Sequence, residues 1–396
     1  MSSTPYFSII LPTRRRSQIV YYTIECVLKQ TFSDWELVFV DNDLDESTAK
    51  VVEKYKKDSR FRYFRTGNLG MPDNWQFGLE QTTGKYVFVI EDKTFLKQDA
   101  LEMLYQTMET DKPSFAVWRY DYFDNEKDIF YPAYIENKNI KWLESRDTLT
   151  YILNCDIVNY MPIAPRGFNV IVSKENIQKA TKFHPEGKFF IPGAPDFTSG
   201  YQLLLTFDKY LLLPFSVATQ AFRFLSLGEQ SILKAKWTMD EVNLIASDDY
   251  FYKYVPIKCM RCWNCVINDF YRVAHWFGSE KEIKLNLVNY FIMNWHEIMF
   301  ALSHGTNMAQ EINVYFKALD AIEDEKTSQK IREIMKETKE FASNMRNMQI
   351  TTELSSKITP LQKIPREIKR VFRQMFEKKC SKIQKFHNFE EFINQY

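Results

Sequence analysis

The first 120 residues alternate short β-branched runs with stretches of helical period, and polar side chains cluster where the runs end. That alternation is the pattern of a mostly parallel sheet, because parallel strands need a long, usually helical, connection between them. Phe7-Ser8-Ile9-Ile10-Leu11 reads as a first strand that Pro12 stops, and Ile19, Tyr22, Thr23, Cys26, Val27 and Gln30 then follow at the spacing of a helix burying one face. Glu36 to Val40 gives a second strand, Ser47 to about Lys57 a helix, and Phe61 to Phe64 a third strand. A helix around Asn74 to Gln81 precedes a strand over Tyr86 to Ile90. Open sheets of this class bind ligands outside the carboxyl ends of their strands. Those ends here read Thr13-Arg14-Arg15-Arg16, Asp41-Asn42-Asp43 and Glu91-Asp92-Lys93.

Beyond residue 110 the pattern changes twice. Residues 111–245 are rich in aromatics (Trp118, Tyr120, Tyr122, Phe123, Phe130) and read as a mixed region that continues the sheet and builds a cleft wall. After about residue 248 helical periods dominate. The expected organisation is therefore an α/β domain over 1–245, with halves 1–110 and 111–245, then a helical region over 246–350 and a last segment over 351–396. With 396 residues, 45% of them hydrophobic, the chain can bury a large core without metal or disulfides. Its 52 basic and 51 acidic residues leave +1, which excludes the global charge excess of a nucleic-acid binder.

Six scattered cysteines fit a reducing compartment. The start of the chain lacks the basic and apolar regions of a signal peptide, and the longest apolar stretches are interrupted by Arg223 and by Asn294, His296 and Glu297. A cytoplasmic protein is the expectation. Cys259, Cys262 and Cys265 are spaced like metal ligands but have no nearby fourth cysteine, and on a helix that step places small residues on one packed face. The segment 363–385 carries nine basic and two acidic residues, a local +7, and its Ile364, Ile368, Val371, Phe372, Met375, Phe376 and Ile383 recur at helical spacing. Such a basic amphipathic segment, taken over 363–386, suits an anionic membrane surface, and the competing reading is a helix packed on the domain with its lysines in solvent.

The pieces Leu28-Lys29-Gln30-Thr31-Phe32-Ser33-Asp34-Trp35-Glu36, Val40-Asp41-Asn42, Asn68-Leu69-Gly70, Asp73-Asn74-Trp75 and Thr83-Gly84-Lys85-Tyr86-Val87 keep an order and spacing that resembles the nucleotide-sugar half of the family 2 inverting glycosyltransferases. The resemblance is strong over about 6–110 and weaker to about 235. It implies an A-type glycosyltransferase fold, a single mixed, mostly parallel sheet flanked by helices with a helical C-terminal region appended. It also implies that Pro12 and Thr13 line a base pocket, that Asp41 hydrogen-bonds the base, and that Arg15 and Asn74 serve the donor, a nucleoside diphosphate sugar and by preference a UDP-sugar. For Asp41 the alternative is a turn or cap residue. For the arginine run it is a solvated face.

The family carries an Asp-X-Asp type signature whose last acid binds Mg²⁺ or Mn²⁺, and Lys93 falls on that place, with Asp92 just before it and Glu91 at the first-acid position. An ammonium has no acceptor and cannot ligate a cation. Three readings stand: Lys93 replaces the metal, so that no cofactor is required; Glu91 and Asp92 still hold Mg²⁺ or Mn²⁺ while Lys93 turns outward; or the site is degenerate and the chain is a non-catalytic nucleotide-sugar-binding or scaffold protein of a glycan assembly complex. An inverting transfer needs a carboxylate to deprotonate the acceptor hydroxyl. Asp196, in Ile191-Pro192-Gly193-Ala194-Pro195-Asp196-Phe197 ahead of a helical pattern, occupies the position that the resemblance implies, and helix capping is the alternative. Asp92, Asp121 and Asp124 are its substitutes. Arg166, in a compact Pro/Gly loop, could clamp a phosphate or an acidic acceptor bidentately. The expected reaction is inverting transfer of a sugar to a hydroxyl of a glycan or lipid-linked saccharide in surface polysaccharide assembly, a step that rests on family analogy and the charge of the last segment.

Overall fold

The computed structural model describes residues 4–133, 139–222, 227–232, 236–279, 284–336 and 384–395. Thirteen strands occur among them: β1 (Phe7–Thr13), β2 (Trp35–Asp41), β3 (Phe61–Arg65), β4 (Tyr86–Val89), β5 (Thr94–Leu96), β6 (Phe115–Val117), β7 (Asp121–Asp124), β8 (Ile129–Tyr131), β9 (Lys141–Glu144), β10 (Val170–Ser173), β11 (Lys209–Leu212), β12 (Ala218–Gln220) and β13 (Gln384–Lys385). Eight of them form one mixed sheet in the order β3-β2-β1-β4-β10-β6-β11-β9. The first four run parallel, β10 lies antiparallel between β4 and β6, and β9 closes the far edge antiparallel to β11. This is an A-type glycosyltransferase fold.

Two-residue periodicity explains why both faces of this sheet are dry. Phe7, Ile9, Leu11, Leu37, Phe39 and Phe88 join one hydrophobic cluster under the helices Val20–Leu28 and Ala100–Thr110. Their neighbours Ile10, Val38, Val40, Val87 and Val89 join a second cluster on the opposite face, with Trp75 and Leu79 of the helix Met71–Gln81. Strands buried on both faces read as continuous apolar runs, as these do.

Pro12 does not stop the first strand, which continues to Thr13 and pairs Pro12 with Val40 and Thr13 with Asp41. Ile10 faces β4, its carbonyl accepting the Ile90 amide, and Pro12 two residues on faces the same side. β4 has ended at Val89, so no ladder partner waits for the N–H that proline lacks. Other expected elements hold their places, although the stretch from Ser47 is an α-helix only to Val52 and tightens to a 3₁₀ turn over Glu53–Lys57.

The large sheet is joined by a second, five-stranded one, ordered β13-β8-β7-β12-β5. The chain leaves β4, turns through Glu91-Asp92-Lys93 and enters β5, so these three residues stand at the junction of the two sheets. The last described residues return to this small sheet. β13 pairs antiparallel with β8, and Phe386, Phe389, Phe392 and Ile393 pack with Phe95, Phe123 and Phe130.

The helical region does not have a core of its own. Val266, Ile267, Phe270, Tyr290, Trp295, Tyr315 and Ile331 share one cluster with Ile152, Tyr160, Ala164, Ile191, Phe197 and Tyr201. The helix Cys262–Trp276 thus packs directly on the helix Pro195–Thr206, across the boundary expected at residue 245. Cys259 packs against this cluster, Cys262 and Cys265 lie in the first turns of the helix Cys262–Trp276, and burial raises the Cys265 thiol. The segment 363–386 lies outside the described residues except for its last three. Among the described residues no helix is long and apolar enough to cross a membrane.

Candidate functional site

The junction after β4 places three ionisable side chains within one turn. Lys93 is buried with 9% of its surface exposed, and its Nζ meets Glu91 Oε1 at 2.7 Å. Gln220, at the end of β12, donates its Nε2 to the other oxygen, Glu91 Oε2, at 2.8 Å. Asp92 accepts the Thr13 hydroxyl at 2.9 Å, tying the end of β1 to the end of β4. Desolvation in the recess raises the Asp92 carboxyl, while the charges of Arg16 and Lys93 oppose the rise.

Lys93 therefore points inward, against the expectation that it could turn to solvent beside a metal. Both Glu91 oxygens and one of Asp92 are engaged by protein donors, and the Lys93 ammonium sits against Glu91 with its charge acting on Asp92. Among the described residues no group of three or more His, Cys, Asp or Glu side chains is placed to hold a metal ion. A donor set interrupted by a buried cation does not fit a divalent ion, which requires oxygen ligands.

Asp196 opens the helix Pro195–Thr206 at its second position. It is not the cap: Ala194 is, and no side chain caps this end. Burial pushes the Asp196 carboxyl up from the ordinary 3.8 to about 6, the positive charge of Arg166 acts against the rise, and the negative charge of Glu91 adds to it. A base at a helix N-terminus is expected to be held acidic by the backbone dipoles; here the N–H groups of Asp196 and Phe197 do lower it, and desolvation outweighs them. The Arg166 loop touches the start of this helix, the Gly167 amide donating to the Asp196 carbonyl at 2.8 Å, and the charges of Glu91 and Arg166 act on Asp196 and on Tyr120, whose hydroxyl donates to the Phe168 carbonyl.

Arg166 is fixed by its backbone, its amide donating to Asn169 Oδ1 at 2.6 Å, and its guanidinium lies 4.6 Å from the Phe168 ring centre. The buried Nε of that guanidinium has no hydrogen-bond partner among the described residues. The substitutes for the base have other partners. Asp121 accepts Lys97 at 2.8 Å and the Ala133 amide at 2.6 Å, and Asp124 holds the β7–β8 turn with Lys127.

Other expected donor residues have different surroundings from those the sequence implies. Asp41 is fully buried, accepting the Tyr63 hydroxyl at 2.6 Å and the Asp43 amide at 2.9 Å, so its carboxylate shapes the turn after β2 and is not presented as a free acceptor. Asn74 is also interior and accepts the Thr66 hydroxyl at 2.6 Å, steadying the loop before its own helix. Pro12 and Thr13 end β1, where the Thr13 hydroxyl meets Asp92. Arg15 has a left-handed backbone (φ 57°) and pairs with Glu241 at 3.3 Å, while Arg14 meets the same carboxylate at 3.0 Å. The arginine whose charge reaches Asp92 is Arg16. Gln220 and Glu241 were not singled out by sequence, and Arg16 only as one of the arginine run, because their partners lie roughly 75 to 230 residues away along the chain; for Gln220 the signal was slight, a polar residue ending a short β-prone run.

The family described as Glycosyl transferase family 2 matches residues 8–166, which spans β1 to the Arg166 loop. The N-terminal part of this chain is a family 2 glycosyltransferase domain. Its relatives include the poly(ribitol-phosphate) beta-N-acetylglucosaminyltransferase TarP of Staphylococcus aureus, 31% identical over 119 residues, or 28% of this chain and 36% of the relative. The GalNAc(5)-diNAcBac-PP-undecaprenol beta-1,3-glucosyltransferase of Campylobacter jejuni is 32% identical over 105 residues, 26% of this chain and 34% of the relative. The matched stretch thus spans about a third of each of these curated relatives. A solved structure of S. aureus TarS 1–349 in complex with UDP-GlcNAc superposes with a TM-score of 0.48 at 14% identity, covering 85% of this chain and 92% of that one. Lys93 and its pairing with Glu91 lie inside the family 2 domain, whereas Asp196 lies beyond the matched residues.

Proposed function

We propose that the chain is an inverting glycosyltransferase that moves a sugar from a nucleoside diphosphate donor, a UDP-sugar, to a hydroxyl of a glycan or lipid-linked saccharide in surface polysaccharide assembly, without a metal. The observation that carries this reading is that a raised carboxylate, Asp196, feels both Arg166, whose loop touches the start of its helix, and Glu91, which holds the buried Lys93 ammonium at the end of a family 2 strand. Asp196 takes the proton from the acceptor hydroxyl as its oxygen attacks the anomeric carbon from the face opposite the leaving group. A carboxylate at about 6 is still mostly ionised at neutral pH and is a stronger base than an ordinary one.

Negative charge builds on the departing diphosphate, and Lys93, held in place by Glu91 and Gln220, supplies fixed positive charge to it. Arg16 adds to the field at the same strand ends. Arg166 offers N–H donors to a phosphate of donor or acceptor. Two relatives point to acceptors that contain phosphate, one named for poly(ribitol-phosphate) and one for a PP-undecaprenol-linked saccharide, which agrees with a free arginine beside the base.

The test is nucleotide release from a panel of UDP-sugars with lipid-linked saccharide acceptors, in EDTA and in Mn²⁺, with the anomeric configuration of the product read by NMR. Turnover in EDTA with inversion supports the reading. Retention of configuration, or nucleotide binding with no transfer to any acceptor, overturns it, and the second outcome favours the scaffold alternative.

Association with an anionic membrane through 363–386 is part of the proposal and rests on the sequence of that segment. Truncating the chain ahead of it is a poor test, because Phe389 and Phe392 beyond it pack on the small sheet. Reversing Lys369, Arg370, Lys378 and Lys379 to Glu leaves that anchor intact. Release of the variant from anionic vesicles supports the proposal, and unchanged binding removes it.

A further inference from the structure

The loop that carries Asp196 rests on a carboxylate from the helical region that the reaction as proposed above does not use. Asp269, on the helix Cys262–Trp276, is fully buried, and its Oδ2 accepts the Ala194 amide at 2.9 Å. Ala194 is the residue at which the helix of Asp196 begins, and it has no side chain able to cap that end. Gly193 beside it adopts φ 107°, a conformation reserved for glycine. A Cβ at 193 would collide with both oxygens of Asp269. The loop is thus seated on the carboxylate by one hydrogen bond and by the absence of a side chain.

We propose that Asp269 is a positioning residue for Asp196: it fixes the Gly193-Ala194 turn, and through it the place of the base, from outside the family 2 domain. The inference rests on Asp196 being the base.

A buried carboxylate is a costly way to hold a loop, since it is retained against desolvation. Its neighbours compensate it only in part. Arg272, one turn on, has its Nε 3.8 Å from Asp269 Oδ1, yet that Nε makes no hydrogen bond and the guanidinium lies over the Tyr250 ring. Asn268 donates weakly at 3.4 Å. The titratable and charged groups facing Asp269 are Arg272 and Cys265 on its own helix, Asp196 and Tyr201 on the helix it supports, and Tyr250 on the 3₁₀ turn Asp248–Tyr252. Burial pushes Asp269 up to about 6, with the charge of Asp196 adding to the rise. Two carboxylates that oppose each other's ionisation across one loop link the loop's seat to the basicity of Asp196.

The experiment compares Asp269→Asn, Gly193→Ala and Asp196→Asn in the full chain. Asparagine at 269 keeps the shape but replaces the charge-assisted hydrogen bond from the Ala194 amide by a weaker neutral one and removes the charge. D269N is expected to bind UDP like the parent, to lose about 10-fold in kcat, and to move the acid limb of the kcat/KM profile down by about half a pH unit, because a like charge near the base is gone. G193A is expected to lose more, about 100-fold in kcat, through displacement of the loop. Parent kcat and an unmoved acid limb in D269N, with D196N inactive, overturn the inference and leave the base standing. Full turnover in D196N overturns the base assignment itself. A D269N loss confined to thermal stability, with kcat and the pH profile intact, reduces Asp269 to a structural group and also overturns the inference.

Discussion

Replacing Asp196 by Asn separates its roles in stability and in catalysis, and the structure fixes the sign of each. The Asp196 carboxyl is pushed from 3.8 to about 6 by burial, so the native state holds the ionised form at a disadvantage relative to the unfolded chain. A shift of about two units corresponds to at most about 3 kcal/mol, and solvent at the open side of the cleft reduces it to about 1–2 kcal/mol. The folded pKa lies above the unfolded one, so this destabilisation is fully present above pH 6 and fades as pH falls from about 6 toward 3.8. Asparagine has nearly the same shape and no charge to desolvate. D196N should therefore raise the melting temperature by a few degrees at pH 8 and change it little near pH 4. It should also lose about 10²–10⁴-fold in kcat with UDP affinity unchanged. Calorimetric melting across pH and single-turnover kinetics read both quantities. A variant that melts lower than the parent at pH 8 would refute the desolvation argument, and one that turns over normally would remove Asp196 from the chemistry.

Three other outcomes follow from contacts on the page. Lys93→Met should weaken UDP binding by about 10- to 100-fold, the worth of a hydrogen bond to a charged group, and Lys93→Asp should make the remaining binding depend on Mn²⁺; calorimetry on both variants checks this, and parent affinity in K93M would exclude Lys93 from the donor site. Phe392, buried and stacked 4.6 Å from the Phe123 ring centre, should cost about 3 kcal/mol on change to Ala, read as a lower melting temperature and faster amide exchange in the small sheet; parent exchange rates would show that the returning C-terminus is not seated there. Glu241→Gln should release Arg14 and Arg15 and tighten UDP binding about 2- to 5-fold at low salt, with the gain lost at high salt; a weaker complex would mean that Glu241 organises the site and does not compete with the donor for the arginines.

How far the fold could be read in advance depends on how local its determinants are. The runs at Phe7, Glu36 and Tyr86 were legible because strands buried on both faces have few polar interruptions. The small sheet was not, because its strands are two to four residues long and pair across large separations, β13 with β8 over some 250 residues. A signal was nonetheless present, since Phe386, Phe389 and Phe392 recur every three residues. Pro12 misled because the rule against proline in strands depends on which edge its nitrogen faces, and sequence does not show that.

In the site, the acids of the β4 turn and of the Pro-Asp loop were legible as candidates, but their states were not. Burial decides that Asp196 titrates near 6 and that Asp41 is closed off, and burial is a tertiary property. Of the residues that act on the site from afar, Glu241 and Asp269 carry no local pattern, and Gln220 carries only that of a polar residue ending a short β-prone run. The boundary drawn at residue 245 failed to mark a core of its own for the same reason, since Phe197 and Tyr201 find their apolar partners on the helix Cys262–Trp276.

The central claim is that a buried lysine stands where a metal would otherwise serve the donor diphosphate. Calorimetric titration of the full chain with UDP, once in EDTA and once with excess Mn²⁺, tests it most directly. Equal affinity under the two conditions is the predicted result. Binding that appears only with Mn²⁺ would contradict it, returning the phosphate site to Glu91 and Asp92 as metal ligands.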